Sequence, residues 1–302
     1  CADRPPTPTP TAPVMAIDPT VVAIAPTPTA PAGVAPIPPN PLIGRGKRVA
    51  AAGGVDAPAG VVDGRYCTPP GWHTGSLPSW LAIEVGAGPS RLLLSWNSGY
   101  TDNYTGGRAA GVPATYTLET SADSTNGADG TWEAVARVQG NAARTRAHSI
   151  PFAGAAWVRM TVAAVGGGGD LAIDEIDIHD TSRGAEDTVF FLGDSITVGA
   201  HQRCDRVQPD FAALVHNAHP AYYPAMIDGG VSGVTSAYGA QQIERLLAEN
   251  PDYRIWAIGY GTNDAFQRVT PEAFARQMQA IIDRARAAGR EPVLARIPYS
   301  TA

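Results

Sequence analysis

The sequence has few charged residues and few cysteines. Only 17% of its 302 residues are charged and the net charge is -6, which argues against nucleic acid or an anionic membrane as the main partner. No apolar run approaches the about 20 residues that a membrane-spanning helix needs. The three cysteines form no Cys-x-x-Cys pair and no His/Cys cluster, so the sequence predicts no metal site. The length is sufficient for about two domains, and 44% of the residues are hydrophobic, enough to form their cores.

The amino-terminal segment differs in composition from the rest. Almost half of the 27 prolines lie in residues 1–41, so we predict a disordered Pro/Thr-rich linker over residues 1–43. Cys1 followed by this tract is similar to a mature bacterial lipoprotein after signal cleavage, which implies a secreted or cell-surface protein with a lipid on Cys1. The alternative is that the chain simply begins there. Cys67 and Cys204 either pair in an oxidising compartment or remain separate thiols, because they lie in different predicted domains.

Residues 47–181 show short strand patterns separated by glycine-rich turns. Residues 114–121 and 156–165 alternate between apolar and polar side chains, which is the period-two pattern of strands with one buried face. We therefore predict an antiparallel β-sandwich of the jelly-roll type. Its predicted strands are residues 80–85, 91–96, 114–121, 131–138 and 156–165.

This region resembles the discoidin (F5/8 type C) domains of the galactose-binding-like fold. The resemblance is carried by "VVDG", "YTLETSADS", "TWEAVARV" and "LAIDEIDIHD", and it implies binding of sugars or cell-surface ligands through loops at one end. The loop at 96–108 offers Trp96, Tyr100 and Tyr104, whose rings could stack on a sugar. The alternative is that Trp96 lies in the core and the tyrosines are solvated.

The pattern changes after residue 186, where strands alternate with helices. Apolar strands are predicted at 188–192, 222–228, 253–260 and 292–299, with helices at 235–250 and from Pro271 to Gly289. This alternation predicts a parallel α/β sheet covered on both faces, over residues 186–302. In such sheets, ligands bind at the carboxyl ends of the strands.

Three motifs follow the first three of these strands, namely "GDSIT" (193–197), "GGVSGVTS" (229–236) and "GYGTND" (259–264). Ser195 lies on a strand-to-helix turn, and Gly193 permits that turn. The N–H groups of Ser195 and Gly233 and the side-chain amide of Asn263 can donate to an oxyanion. One nucleophile with three donors predicts acyl transfer, although Asn263 and Asp264 could instead cap the next segment in an ordinary turn.

The three motifs, in this order, resemble those of the SGNH (GDSL-type) hydrolases. The resemblance implies a three-layer α/β/α fold of the flavodoxin-like type, and ester hydrolysis without metal or organic cofactor. Ser195 matches the family's serine, Gly233 its glycine and Asn263 its asparagine. Asp194 belongs to the first motif, and we interpret it as a residue that holds the turn.

The family's fourth motif, Asp-x-x-His, supplies the general base, and this sequence does not contain it. None of the six histidines has an acidic residue three positions before it; they are His73, His148, His179, His201, His216 and His219. We therefore expect an incomplete domain whose catalytic His and Asp lie beyond residue 302, and a weakly active or inactive chain. If the chain is active, His201 is the first candidate base, because it follows Ser195 most closely.

These motifs indicate a serine esterase, and the neighbouring sandwich suggests deacetylation of an acylated polysaccharide. A lipase, a thioesterase or an acyltransferase would use the same motifs. A surface carbohydrate-binding protein without catalysis is the alternative from another class. The expected partners are an ester substrate and a polysaccharide, with no nucleic acid and no membrane contact except through Cys1.

Overall fold

The computed structural model describes residues 41–53, 55, 57–66, 71–98, 111–167, 169–184, 187–201 and 210–296, except for the side chains of Ala200 and His201. Several predictions therefore fall outside the described residues. These concern residues 1–40 of the linker, the three cysteines at 1, 67 and 204, the tyrosines at 100 and 104, and the imidazole of His201. Among the described residues, no helix combines the length and hydrophobicity needed to span a bilayer.

The first folded part consists of antiparallel strands. They form a five-stranded sheet in the order β1–β3–β8–β5–β6, a three-stranded sheet in the order β10–β4–β7 and the pair β2–β9. The strands are β1 (Val49–Ala51), β2 (Trp72–Thr74), β3 (Ser79–Glu84), β4 (Arg91–Asn97), β5 (Val112–Ser121), β6 (Glu133–Val138), β7 (Thr145–Pro151), β8 (Trp157–Gly166), β9 (Leu171–Ile173) and β10 (Glu175–Asp180). A short 3-10 helix (Pro58–Val62) precedes β2.

The core of this part lies between the sheets, as the alternation predicted. Tyr116 and Leu118 of β5 are buried beside Met160 and Val162 of β8, while the polar residues between them face the other side. The predicted β-sandwich is therefore confirmed.

The second folded part is a parallel sheet with helices between its strands. The strand order is β12–β11–β13–β14, so β11 lies between β12 and β13. The elements are β11 (Thr188–Gly193), α1 (Ser195–His201), α2 (Phe211–Ala218), β12 (Ala225–Gly230), α3 (Ser236–Glu249), β13 (Ile255–Gly259), α4 (Thr262–Phe266), α5 (Pro271–Ala287) and β14 (Glu291–Leu294). The predicted α/β fold is confirmed, although β12 begins three residues later than the sequence suggested.

The start of α5 shows why local sequence predicts some boundaries well. Thr270 is the N-cap, and its hydroxyl accepts a hydrogen bond of 3.3 Å from the Ala273 N–H. Pro271 then occupies the first helical position, where a missing N–H costs nothing. Both signals are local, so the sequence alone places this end correctly.

The three-stranded sheet of the sandwich is buried on both faces. Along β4, Leu92, Leu94 and Trp96 belong to the sandwich core. Leu93, between them, instead packs with Ala147 of β7 into the core of the α/β part. The outer face of this sheet therefore lies against the α/β part, and its side chains belong to the core of that part.

Polar contacts cross the same interface. The Ser149 N–H of β7 donates to the Asp252 carboxylate at 3.2 Å. Arg45 pairs with Asp177 at 2.9 Å and lies 6.0 Å from the centre of the Tyr223 ring in the α/β part. Strand β10 presents three buried polar side chains to the interface, Glu175, Asp177 and His179. Pairing with Arg45 offsets the cost of burying the carboxylates.

Candidate active site at the carboxyl edge of the parallel sheet

The three predicted motifs meet at one edge of the parallel sheet. Gly193, the last residue of β11, pairs with Gly230 of β12 on one side and with Gly259 of β13 on the other. The Val231 N–H, just beyond β12, donates to the Gly193 carbonyl at 3.0 Å. The three strands therefore end at the same level, and the segments that carry the motifs leave the sheet side by side.

Glycine is required at position 193, the end of β11, because the neighbouring atoms leave no space for a side chain. A Cβ atom there would lie 2.0 Å from the Thr197 hydroxyl oxygen and 2.6 Å from the Gly259 carbonyl oxygen. Its φ angle is not in the left-handed region. The sequence interpretation, that glycine permits a tight turn, therefore needs correction, because the close approach of α1 and β13 explains this glycine instead.

Asp194 holds the turn that leads into α1. Its carboxylate accepts a hydrogen bond of 2.9 Å from the Ile196 N–H, and its carbonyl accepts one of 3.1 Å from the Val198 N–H. Burial raises the pKa of Asp194; the hydrogen bond from Ile196 opposes this rise and the nearby charge of Asp264 adds to it. Ser195 follows as the first residue of α1 and is partly exposed.

Gly233 lies in the turn between β12 and α3 and is exposed. Its φ of 78° is in the left-handed region, and a Cβ atom there would meet no heavy atom within 4 Å. Backbone conformation, and not space, therefore favours glycine at this position. The exposed backbone leaves its N–H accessible to a ligand.

Asn263 connects the second and third motifs. Its side-chain nitrogen donates to the Val234 carbonyl at 2.9 Å, and Gln267, four residues later, donates to the Gly233 carbonyl at 3.3 Å. These two bonds hold α4 against the turn that contains Gly233. The amide of Asn263 has two N–H groups, so the bond to Val234 fixes its orientation and uses only one of them.

Asp264 is a site residue whose role the sequence did not reveal. It is buried and accepts hydrogen bonds from the Ser236 N–H, at 3.0 and 3.2 Å, and from the Ser236 hydroxyl at 2.6 Å. The sequence suggested a cap on the adjacent segment, but Asp264 caps α3, which begins 28 residues earlier. No local signal could identify a partner at that distance.

The described histidine side chains do not serve Ser195 in this structure. His216 and His219 lie at the end of α2, which leads to the amino end of β12. His179 is buried near Tyr223, which precedes β12 in the chain. His148 is in the sandwich, and the exposed His73 lies 3.9 Å from Asp170. No hydrogen bond joins any of them to Ser195 in the described part of the chain. The backbone of His201 ends α1.

Trp96 belongs to the sandwich core and is 1% exposed. Its ring meets Tyr116 edge to face at 5.8 Å, and its Nε1–H donates to the Tyr116 hydroxyl at 3.3 Å. That hydroxyl also lies 2.7 Å from Nε2 of His148. Trp96 therefore has no free face for a sugar, which corrects its suggested role in ligand binding. Tyr100 and Tyr104 lie outside the described residues.

Comparison with solved structures finds partial similarities to both folded parts. The first part is similar to chitosan-binding module 1 of a chitosanase/glucanase from Paenibacillus sp. IK-5, with 19% identity over 45% of this chain and 97% of that one, and a TM-score of 0.36. It is also similar to a Clostridium perfringens module in complex with glcNAc-alpha-1,4-galactose, with 16% identity, 46% and 94% coverage and a TM-score of 0.32.

The second part is similar to AlinE4, an SGNH-hydrolase family esterase, with 23% identity over 37% of this chain and a TM-score of 0.31. The chain spans 60% of the length of that esterase. A search of curated proteins finds no match to the chain.

A comparison with protein families matches residues 191–301 to the GDSL-like Lipase/Acylhydrolase family. The matched segment contains the three motifs that meet at the carboxyl edge of the sheet. This confirms the sequence-based prediction of a serine hydrolase acting on esters. Residues 191–301 of this chain are therefore similar to a GDSL-like lipase/acylhydrolase domain.

Proposed function

We propose that this protein removes acyl groups from an acylated carbohydrate, with Ser195 as the nucleophile and with Gly233 and Asn263 as oxyanion donors. The observation that carries the proposal is the convergence at one sheet edge. Strands β12, β11 and β13 end in register, and the segments that follow them bring these three residues to that edge.

In the proposed reaction, the Ser195 oxygen attacks the ester carbonyl carbon while a general base takes its proton. The carbonyl oxygen becomes an oxyanion and accepts hydrogen bonds from the N–H groups of Ser195 and Gly233 and from the Asn263 side chain. Collapse of this intermediate expels the sugar hydroxyl, which takes up a proton, and leaves an acyl-serine. Water then releases the acid and restores the serine.

The contacts of Asn263 support its role in this scheme. Because the Val234 carbonyl holds one N–H of the amide, the second N–H has a fixed direction before substrate binds. A donor oriented in advance pays no reorganisation cost when the oxyanion forms. Gln267 restrains the Gly233 turn from the same helix, so both donors are held by α4.

The carbohydrate part of the proposal is supported by the β-sandwich, which packs Leu93 and Ala147 into the core of the α/β part. A sandwich that is packed rigidly beside the sheet would present a bound polysaccharide at a constant distance from the esterase site. The domain pairing is an associational argument, so the substrate needs a direct test.

The test is acetate release from an acetylated polysaccharide by the purified protein, its Ser195→Ala variant and a Ser76→Ala control. Ser76 is exposed on the sandwich, so its hydroxyl should have no part in turnover. In the full-length enzyme, where a general base serves Ser195, we expect release by the parent protein and by the control, and at least a thousandfold less by the Ser195 variant. Equal release by the Ser195 variant would refute the assignment of the nucleophile, and hydrolysis of simple esters alone would refute the carbohydrate substrate.

A further inference from the structure

The described part of the chain exposes six large hydrophobic side chains, and two of them adjoin the candidate active site. Ile196 follows Ser195 and is 49% exposed, whereas Phe266 closes α4 and is 82% exposed. Phe266 is the most exposed of the six. The others are Phe211, Leu214, Val293 and Leu294.

The position of Phe266 follows from the contacts of α4. Asn263 and Gln267 lie on one side of this short helix and bond to the carbonyls of Val234 and Gly233. Residues three positions apart on a helix are neighbours on its surface, so Phe266 lies next to Asn263. An aromatic ring therefore stands in solvent beside a proposed oxyanion donor.

Folding does not explain this ring. A side chain that is 82% exposed buries little apolar area, so it adds little to the stability of the domain. Exposed aromatic rings are instead enriched where proteins bind ligands. The position beside Asn263 therefore points to contact with the substrate.

The exposure also discriminates between the two parts of an ester substrate. An acyl chain gains most from a groove that surrounds it, and the described residues form no such walls around a side chain that is exposed to this degree. A sugar needs contact on one side only, because one face of its ring carries C–H groups while its hydroxyls remain hydrated. The flat, open ring of Phe266 suits the sugar better.

We propose that Phe266 is a specificity-determining residue on which the sugar ring of the substrate stacks. This inference rests on the proposed function and adds a named contact for the alcohol part of the ester. Nothing in it requires Phe266 to touch the reacting atoms.

The experiment observes the ring directly. The Ser195→Ala variant is labelled with 13C at the rings of its six phenylalanines, and the signal of Phe266 is assigned through a Phe266→Leu variant. Acetylated xylobiose is then titrated, with ethyl acetate as an ester that lacks a sugar. Because Ser195 is absent, neither hydrolysis nor its failure affects the result.

We expect the Phe266 signal to move with acetylated xylobiose and to remain in place with ethyl acetate. The Phe266→Leu variant should bind about fivefold to tenfold more weakly, whereas Phe266→Trp should retain the affinity. Phe211→Leu is the matched control, because Phe211 is also exposed but lies on α2 against Phe191. Its affinity should not change.

Two results would overturn the inference. One is an unmoved Phe266 signal at saturation or an unchanged affinity in Phe266→Leu. The other is an equal shift with ethyl acetate, which would assign the ring to the acyl part. Both are distinct from failure of the proposed function, which appears in the acetate-release assay as release that does not depend on Ser195 or as hydrolysis of simple esters alone.

Discussion

The partly buried His148 makes the stability of the sandwich depend on pH. Burial lowers the pKa of His148 from 6.5 to about 3, and the charge of Arg146 adds to this effect. In the unfolded chain the ordinary pKa returns. Stability is therefore complete above about pH 6.5 and is lost as pH falls, because only the unfolded chain binds the proton.

The size of this loss follows from the shift. Each pH unit in which only the unfolded chain is protonated costs about 1.4 kcal/mol, so the loss between pH 6.5 and pH 4.5 is between about 2 and 3 kcal/mol. His148→Gln keeps a polar side chain beside the Tyr116 hydroxyl but cannot titrate. Other groups, including His179, titrate in both proteins and cancel in the comparison.

The assay is urea unfolding of the protein and of His148→Gln at pH 7 and at pH 4.5, followed by tryptophan fluorescence. The protein should lose between about 2 and 3 kcal/mol more than the variant on acidification. Equal losses of unfolding free energy in the two proteins would show that His148 can be protonated in the folded state without destabilising it. That result would refute the partly buried, neutral histidine.

Three further predictions concern the site. In the full-length enzyme, Asn263→Ala should lower kcat by about 10² to 10³ with an unchanged circular dichroism spectrum, and near-normal turnover would remove Asn263 from the oxyanion site. Gly193→Ala should cost about 1–3 kcal/mol in thermal unfolding, because its Cβ would meet Thr197; an unchanged melting temperature would contradict this. Asp264→Ala should cost about 1–3 kcal/mol, since the buried Ser236 N–H loses its acceptor while the Ser236 hydroxyl keeps only Gln277, and a urea midpoint within error of the parent would contradict this.

Local patterns in the sequence predicted most of the elements and the order of the site motifs. Thr270 and Pro271 mark the start of α5, and the alternation in residues 114–121 identifies β5. These signals depend on neighbouring residues, so a single sequence contains them. The position of Ser195 directly after a buried strand is also a local signal. The sequence could therefore predict that the site lies at the carboxyl edge of the sheet.

Features that depend on distant packing could not be predicted. The alternation of polar residues in β10 suggests a solvated face, but that face is buried because Arg45, more than a hundred residues earlier, pairs with Asp177. The run of three leucines at 92–94 was the available sign that β4 is covered on both sides. Likewise, the aromatic loop pattern did not reveal that Trp96 turns inward to Tyr116.

The doubly covered sheet has a consequence for how such a protein can be recombined. Domains joined by flexible linkers can be exchanged between genes without further change, because the surface of each domain is already polar and solvent-exposed. Here a crossover between the sandwich and the hydrolase domain would uncover Leu93 and Ala147 on one side and the apolar wall that receives them on the other. A chimaera made at this junction would therefore tend to aggregate unless the apolar residues of both surfaces were substituted together. We therefore expect the sandwich and the hydrolase domain to be inherited together as a single unit.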